Sequence, residues 1–372
     1  MSYIAQFLGF LSVVSVVLFG SHAFLYLAIR HFFDPGDTAR RITIIVLILL
    51  SASFIIASLL AHWQDTVFSR GLYYCSAVWL GILSNAFFVF AILWILENIL
   101  VRMHFPIPLP MIGYTGVIIV ILSSLYAVMN AADPVIREET VSIQNLPSGW
   151  EGKKIVQIND VHLGHIIRSD FAGKIVDMTD SVHPAAVFIV GDLFDGMDGH
   201  LEGLVEPFND LHPQYGTYFV TGNHETYLGT GKTLDIIQKT DIHPMDDTLV
   251  DLDGLQLIGI AFPERGARRD IAGILKKVGY DRRKPSIVLY HSPTDIATFR
   301  SLGVSLQLAG HTHRGQLYPY NLVTNLLFGG YDFGIYREGN YTLSVSSGAG
   351  TWGPPMRTNS RSEIVVLTLK GK

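Results

Sequence analysis

Four long stretches without a charged residue lie in the first third of the chain, and they constrain its fold more than any other feature. They cover about residues 3–29, 42–63, 72–96 and 110–129. Each reaches the roughly 20 apolar residues that a helix needs to cross the hydrocarbon core of a bilayer. Buried helices of a soluble protein are the alternative, but four such stretches leave no polar faces for water. The sequence therefore predicts a multi-pass membrane protein with an all-α transmembrane four-helix segment.

Composition changes near residues 131–134. Residues 1–132 contain few charged side chains, namely Arg30, Asp34, Asp37, Arg40, Arg41, Asp65, Arg70, Glu97 and Arg102. Most of the charges, glycines and histidines follow. We therefore expect a transmembrane anchor over residues 1–132 and a second domain over residues 133–372.

Charge and cysteine content exclude some classes of function. A net charge of −5 argues against a nucleic-acid partner, because such a partner needs a basic face. The single cysteine, Cys75, leaves no disulfide within the chain and no thiolate metal site.

The arginines near the span ends bear on the orientation in the membrane. One side of the membrane would hold Arg30, Arg40, Arg41 and Arg102, and the other Arg70 and Arg137. Cytoplasmic loops carry the excess of Lys and Arg, so we expect the second domain outside the cytoplasm. A cleaved signal peptide does not fit the first stretch, which is too long and has no basic segment before it.

The second domain alternates short apolar runs with helical patterns. The runs KKIVQIND, AAVFIVGD, TYFVTGNH, SIVLYHS and SLQLAGHTH are typical of buried strands, and residues 169–182, 231–239 and 293–302 of helices. Asp253-Gly254 between two alternating segments predicts a hairpin. The alternation indicates a layered α/β fold, in which ligands gather at the carboxyl ends of the strands.

Polar residues with metal-ligating side chains follow each of these runs. In order they are Asp160, His162, Asp192, Asn223, His224, His291, His311 and His313. Taken singly, each fits a solvated loop, a turn or a helix cap. Together they supply nitrogen and oxygen ligands without sulfur, which suit two close divalent metals such as Mn, Zn, Fe or Mg.

The motifs that contain these residues resemble those of the calcineurin-like metallophosphoesterase family. They are DVH at 160–162, GDLFD at 191–195, GNHE at 222–225, YHS at 290–292 and GHTH at 310–313. The segment GAGTWGPPMRTNSRSEIVVLTL resembles the membrane-associated bacterial branch that includes YkuE-like enzymes. The resemblance implies a four-layer αββα sandwich with a two-metal site between the ends of its sheets.

The resemblance also implies roles for these residues. Asp192 would bridge two metal ions. The first metal would also be held by Asp160, His162 and His313, and the second by Asn223, His291 and His311. Two cations clamp one phosphate, and a metal-bridging hydroxide would attack phosphorus. We expect His224 to stabilise the departing oxygen as general acid or cation, with a supporting histidine as the alternative.

Three further features bear on the substrate. Asp195 is expected to orient a ligand imidazole. Arg314 and Arg357 are candidate contacts to a phosphate or an anionic headgroup, although a surface salt bridge fits Arg314 equally well. The apolar segment 317–336 fits either a lid for a lipid tail or membrane surface, or simple core packing.

These observations predict a membrane-anchored phosphoesterase with a phosphorylated substrate. We expect hydrolysis of a phosphate ester or pyrophosphate bond in a lipid or lipid-linked envelope substrate. A cytoplasm-facing pyrophosphatase acting on a nucleotide-linked lipid precursor is one alternative. A membrane sensor whose metal site only binds phosphate is another.

Overall fold

The computed structural model describes residues 3–197, 201–264 and 267–372. For residues 3–11, 13 and 14 it describes the backbone alone. It contains two compact units. The first holds the residues up to Met129 together with Pro354–Met356. The second, the α/β unit, holds Asn130–Gly353 and Arg357–Lys372.

The first unit is built from four long helices. They are α1 (Tyr3–Phe33), α2 (Asp37–Trp63), α3 (Val67–Arg102) and α4 (Leu109–Ala132), whose last residues belong to the α/β unit. All four are long and apolar enough to cross a membrane. The four predicted spans are thus confirmed as helices, and each helix extends beyond its predicted apolar core.

Polar side chains inside the helical unit bond to one another. Trp79 Nε1 donates to His22 Nε2 over 3.0 Å, and Asn85 Nδ2 donates to Ser124 Oγ over 3.1 Å. Such pairs join helices in lipid, where apolar surfaces gain little from meeting each other. We assign these groups to helix packing.

The α/β unit contains two six-stranded sheets. The first has the strand order β1-β12-β2-β3-β4-β5, and the second β10-β11-β9-β8-β7-β6. The strands are β1 (Val135–Ile143), β2 (Lys154–Ile158), β3 (Ala186–Val190), β4 (Thr217–Val220), β5 (Ile242–Pro244), β6 (Thr248–Leu252), β7 (Leu255–Gly259), β8 (Ser286–Leu289), β9 (Leu306–Ala309), β10 (Gly334–Glu338), β11 (Tyr341–Val345) and β12 (Glu363–Gly371). The helices are α5 (Ser169–Asp180), α6 (Glu202–Val205), α7 (Asn223–Leu228), α8 (Thr230–Ile237), α9 (Ile271–Lys277), α10 (Ile296–Leu302) and α11 (Tyr320–Leu327).

Three apolar clusters hold these layers together. The central one lies between the sheets and includes Trp150, Phe188, Leu257 and Leu367, all fully buried. One outer cluster packs α5 on the first sheet, and the other packs α9 and α10 on the second. Alternate residues of the inner strands therefore face opposite clusters, which explains their continuous apolar runs. The predicted four-layer α/β architecture is confirmed.

The predicted hairpin is present as the antiparallel pair β6–β7. Leu252 pairs with Leu255 across the two-residue loop. Asp253 and Gly254 both have positive φ angles, 52° and 89°. This is the turn that Asp-Gly favours, because its twist matches that of the strands.

β1, the first strand of the α/β unit, begins at the end of the first sheet at which β2 finishes. β1 runs parallel to β12, with Val135 opposite Glu363, and β12 runs antiparallel to β2. Only Asp133 and Pro134 lie between α4 and β1. The chain therefore enters the α/β unit beside the carboxyl end of β2.

Candidate metal centre

The predicted ligands lie where strands of both sheets end. Asp160 and His162 follow β2, Asp192 follows β3, and Asn223 follows β4. In the second sheet, His291 follows β8, and His311 and His313 follow β9. Parallel neighbours β2, β3 and β4 end at one edge of their sheet, and β8 and β9 do so in theirs. The structure brings these side chains together.

Five of these residues have a left-handed backbone. The φ angles are 51° at Asp160, 56° at His162, 52° at Asp192, 71° at His311 and 47° at His313. Non-glycine residues rarely adopt this conformation, and it persists only where the surroundings enforce it. Backbone hydrogen bonds from Asp160 N to Gly191 O and from His162 N to Asp192 O, both 3.1 Å, hold two of these turns. Such concentrated strain is typical of a functional site.

The first group of ligands comprises Asp160, His162 and His313. His313 Nε2 lies 3.4 Å from Asp160 Oδ1 and 3.0 Å from His162 Nε2. Asp160 is fully buried, and its two carboxylate oxygens each accept from His311 N over 3.1 Å. Two ring nitrogens and one carboxylate oxygen thus converge at one point.

The second group comprises Asp192, His291 and His311, whose ligating atoms all lie within 4.8 Å of one another. His291 Nε2 is 3.1 Å from Asp192 Oδ2. His291 Nδ1 lies 2.8 Å from Val190 O, so this nitrogen donates its proton and Nε2 faces the centre. Asp192 Oδ2 is also 4.0 Å from His162 Nε2. The Asp192 carboxylate therefore stands between the two groups.

Burial and mutual charge shift the pKa values of the acidic groups in opposite directions. Burial and the charge of Asp192 raise the pKa of Asp160 to about 7. Burial would also raise the pKa of Asp192, but the imidazoles of His291, His224 and His162 outweigh it and hold the pKa below its ordinary value. The Asp192 carboxylate therefore favours a positive charge beside it.

The histidines of the site respond to the same environment. Burial would lower the pKa of His291, but Asp192 and Asp160 outweigh it and raise the pKa to about 10. Burial lowers the pKa of His311 to about 4, and it lowers the pKa values of His162 and His313 well below the ordinary value. Three imidazoles are thus neutral at neutral pH, the form that ligates metals.

The donor set fits divalent metal ions. Within the described residues, the buried Oδ1 of Asn223 has no hydrogen-bond partner. Since buried polar atoms are nearly always bonded, this free oxygen fits the role of a metal ligand. Imidazole nitrogens with carboxylate and amide oxygens suit Zn, Fe and Mn. The cluster of histidines and carboxylates therefore has the donor atoms that a divalent metal requires.

Two carboxylates support the ligands, Glu225 fully buried and Asp195 partly buried. Glu225 accepts from the backbone nitrogens of Asp192, Phe194 and Gly222, at 2.9, 3.0 and 2.7 Å. Asp195 Oδ1 lies 3.6 Å from His162 Nδ1, and burial with the charge of Asp192 raises the pKa of Asp195 to about 8. This is the position that the sequence predicted for Asp195, beside a ligand imidazole.

His224 also faces the cluster. Its backbone nitrogen donates to Asp192 Oδ1 over 2.9 Å, and its Nδ1 lies 2.7 Å from Asp195 O. Since Nδ1 donates to that carbonyl, Nε2 is directed away from the backbone. A nitrogen of His224 lies within 4.8 Å of ligating atoms of both Asp192 and His162. The side chain can therefore exchange a proton with a group bound there.

Gly222, which leaves room for the Asp192 carboxylate, was not among the predicted site residues. A Cβ atom on Gly222 would stand 2.2 Å from Asp192 Oδ1 and 2.6 Å from Asp192 N. No side chain fits there unless the carboxylate moves. The signal was present, because Gly222 directly precedes Asn223 in the motif GNHE.

Aromatic side chains around the imidazoles were missed as well. The ring centroid of Phe262 lies 5.8 Å from that of His291 and 5.7 Å from that of His311. Phe328 meets His311 edge-on at 5.8 Å, and Trp352 lies 6.0 Å from His224. Phe262 follows β7, but its apolar side chain lacks the metal-ligating group by which the other strand-end residues were recognised.

The two arginines occupy different environments. The guanidinium of Arg314 lies over the ring of Phe333, 4.3 Å from its centroid, and is partly exposed. Arg357 is fully buried, and its Nη2 donates to Ser347 O and Gly350 O over 2.6 Å. The same nitrogen lies 3.3 Å from His313 Nδ1. Arg357 therefore contacts the ring of a predicted ligand.

The chain is similar to known proteins. A family model described as calcineurin-like phosphoesterase matches residues 153–315. An uncharacterised metallophosphoesterase of Campylobacter jejuni is 35% identical over 283 residues, which are 74% of this chain and 72% of the relative. A Danio rerio transmembrane protein with metallophosphoesterase domain is 30% identical over 275 residues, 68% of this chain and 62% of the relative.

The bacterial branch named by the sequence resemblance is represented at lower identity. The uncharacterised metallophosphoesterase YkuE of Bacillus subtilis is 26% identical over 264 residues, 63% of this chain and 84% of the relative. The resemblance inferred from the motifs is thus confirmed.

Proposed function

This chain belongs to the calcineurin-like metallophosphoesterase family, a family of metal-dependent phosphoester hydrolases, and we propose that it acts on a lipid or lipid-linked envelope substrate. The bond broken would be a phosphate ester or a pyrophosphate bond. The observation that supports a two-metal centre is the position of the Asp192 carboxylate, 3.1 Å from His291 Nε2 and 4.0 Å from His162 Nε2.

We assign Asp192 to both metals of this centre. Asp160, His162 and His313 would complete one site, and Asn223, His291 and His311 the other. Divalent metals, when bound, supply positive charge to phosphate oxygens and lower the pKa of water. The protein contributes a buried site whose ligands are fixed by strained turns and by Glu225, so little reorganisation is needed during reaction.

His224 is proposed to donate the proton that the departing oxygen needs. The hydrogen bond from Nδ1 to Asp195 O fixes the ring, and the remaining nitrogen is the donor. A histidine in this position can act as general acid, because its ring nitrogen can pass a proton to the departing oxygen.

The two arginines would have different tasks. Arg357 is proposed to position His313, because its guanidinium is buried among backbone carbonyls and against the Nδ1 atom of that ring. The contact between Arg357 and a phosphate stays a prediction, and the burial of the guanidinium argues against it. Arg314, partly exposed beside His313, remains the candidate for a second phosphate or an anionic headgroup.

A comparison of lipid and soluble substrates tests the proposed function. Purified full-length protein in detergent, loaded with Mn²⁺, is expected to hydrolyse a lipid phosphate or lipid pyrophosphate faster than a soluble ester with the same bond. Chelation by EDTA should abolish both reactions. Equal or faster turnover of the soluble ester would contradict the lipid substrate, and no turnover of any ester would favour the sensor.

The orientation is tested separately by C-terminal reporters. Because the arginine count favours the outside, a fusion to alkaline phosphatase is expected to be active and a fusion to green fluorescent protein dark. The inverse pattern would contradict the proposed orientation. It would leave the nucleotide-linked lipid precursor as the substrate to test.

A further inference from the structure

Helix α11 presents its apolar face outward. Leu322, Val323, Leu326 and Leu327 are 59%, 51%, 81% and 72% exposed. Positions 322 and 326, and likewise 323 and 327, are four residues apart, so all four side chains form one stripe. No residue of α11 is buried. The sequence analysis allowed either core packing or a lid or membrane contact for segment 317–336. Tyr331 and Tyr336 do pack against the apolar cluster of the second sheet, but α11 does not pack into the core.

The polar face of α11 is the one bonded to the protein. Thr324 Oγ1 and Asn325 Nδ2 donate to the two carboxylate oxygens of Asp332, over 3.2 and 2.9 Å. The carbonyl of Asp332 accepts from Thr312 Oγ1 over 2.6 Å. A helix facing water has the opposite arrangement, with its apolar side inward. The inversion indicates an apolar medium outside the helix.

Helix α11 lies at the same edge of the α/β unit as the predicted metal ligands. It connects the turn at His313–Gly315 to β10, whose first residue, Gly334, pairs with Val345 at the carboxyl end of β11. Phe328, directly after the helix, contacts the ring of His311. Thr312, which holds Asp332, lies between two predicted ligands. The exposed apolar face and the metal centre therefore share one edge.

The chain enters the α/β unit beside this same segment. Arg137, in β1, donates to Val345 O over 3.2 Å, and its guanidinium lies 5.2 Å from the ring centroid of Phe333. Asp133 and Pro134 are all that separates β1 from α4, a candidate membrane span. The chain therefore passes from α4 into the α/β unit at the edge that carries α11.

We propose that α11 is an interfacial membrane anchor. Its apolar stripe, formed by Leu322, Val323, Leu326 and Leu327, would insert among the lipids of the membrane that the chain spans. Residues 315–331 contain no Asp, Glu, Lys or Arg, so insertion buries no charge. Interfacial helices bury their apolar face roughly 5–10 Å into the headgroup and acyl boundary. The lipid phosphate would then meet the metal ligands without leaving its leaflet. This inference deepens the proposed function and rests on it for the substrate alone.

Depth-dependent quenching tests the insertion without measuring activity. Full-length protein with Cys75→Ser and either Leu326→Cys or Ala272→Cys would carry an environment-sensitive dye in vesicles of phosphatidylcholine and phosphatidylglycerol. Ala272 is a matched control, because it is exposed on α9. Nitroxide-labelled lipids are expected to quench the dye at 326 and leave the dye at 272 unquenched.

Two outcomes would overturn the proposal. Equal access of a water-soluble quencher to positions 326 and 272 would show that the stripe faces water. Shielding of 326 from both quenchers would show that protein, a second copy or a partner, covers it. Either result leaves the proposed hydrolysis untouched, since no turnover is measured.

A charge on the stripe tests the link to catalysis. Leu326→Glu is expected to lower the ratio of activity on vesicle lipid to activity on a soluble ester about tenfold, because a charged side chain opposes insertion. The side chain of Leu326 is 81% exposed, so the substitution disturbs no core packing. Ala272→Glu should leave the ratio unchanged. An unchanged ratio in Leu326→Glu would overturn the role of α11 in substrate access.

Discussion

Replacing Asp192 by asparagine is expected to lower phosphoester hydrolysis by about 10³-fold, which corresponds to about 4 kcal/mol of lost transition-state stabilisation. Asp192 is the carboxylate between the two groups of ligands, and it lies 3.1 Å from His291 Nε2. An amide has nearly the same shape but no charge to offset two cations. We therefore expect bound divalent metal to fall together with kcat/KM, measured by elemental analysis and with a chromogenic phosphodiester.

The control for this change is Asp170→Asn, which removes a carboxylate that is exposed at the start of α5. That variant should keep wild-type metal content and activity. Full activity in Asp192→Asn would contradict the bridging role. If metal content falls but the parent protein also lacks any turnover, the site binds phosphate without hydrolysing it, and the sensor alternative is correct.

The sequence predicted that the strand-end side chains meet because their signal is local. Each apolar run is followed directly by Asp, Asn or His, and parallel strands bring such ends together whatever the details of the loops. The hairpin at Asp253-Gly254 was predictable for the same reason, since its φ angles are a property of that dipeptide. At these positions the local sequence alone indicates the structure that the whole fold requires.

Strand β1 and the burial of Arg357 were not predictable, because each depends on residues distant in the chain. β1 carries Arg137, Glu138 and Glu139, which argue against a strand when read alone. It is stabilised by pairing with β12 along its whole length, where Arg137 Nε donates to Glu363 Oε2 over 3.1 Å. The burial of Arg357 likewise depends on carbonyls of the loop after β11. A charged residue shows no sign of such burial in its own sequence neighbourhood.

Replacing His224 by alanine is expected to lower kcat by about 10³-fold for an ester with an alkoxide leaving group, within the range for a general acid. For a p-nitrophenyl ester the loss should be about tenfold or less, because p-nitrophenolate departs without a proton. The ring is held by Asp195 O and lies near Asp192 and His162 without being needed to complete either ligand group. KM should therefore change little, and metal content should stay at the wild-type value.

The way in which the loss of activity depends on the leaving group distinguishes a catalytic His224 from a histidine that only packs in the site. A histidine that only packs against His162, 4.6 Å away between ring centroids, would lower both reactions equally when removed. A histidine that ligates metal would lower metal content as well. His243→Ala, which removes an exposed imidazole from β5, is the matched control and should match wild type with both esters. Since an alkoxide leaves poorly unless its charge is neutralised, a loss that grows as the leaving group becomes more basic indicates that His224 acts on the departing oxygen.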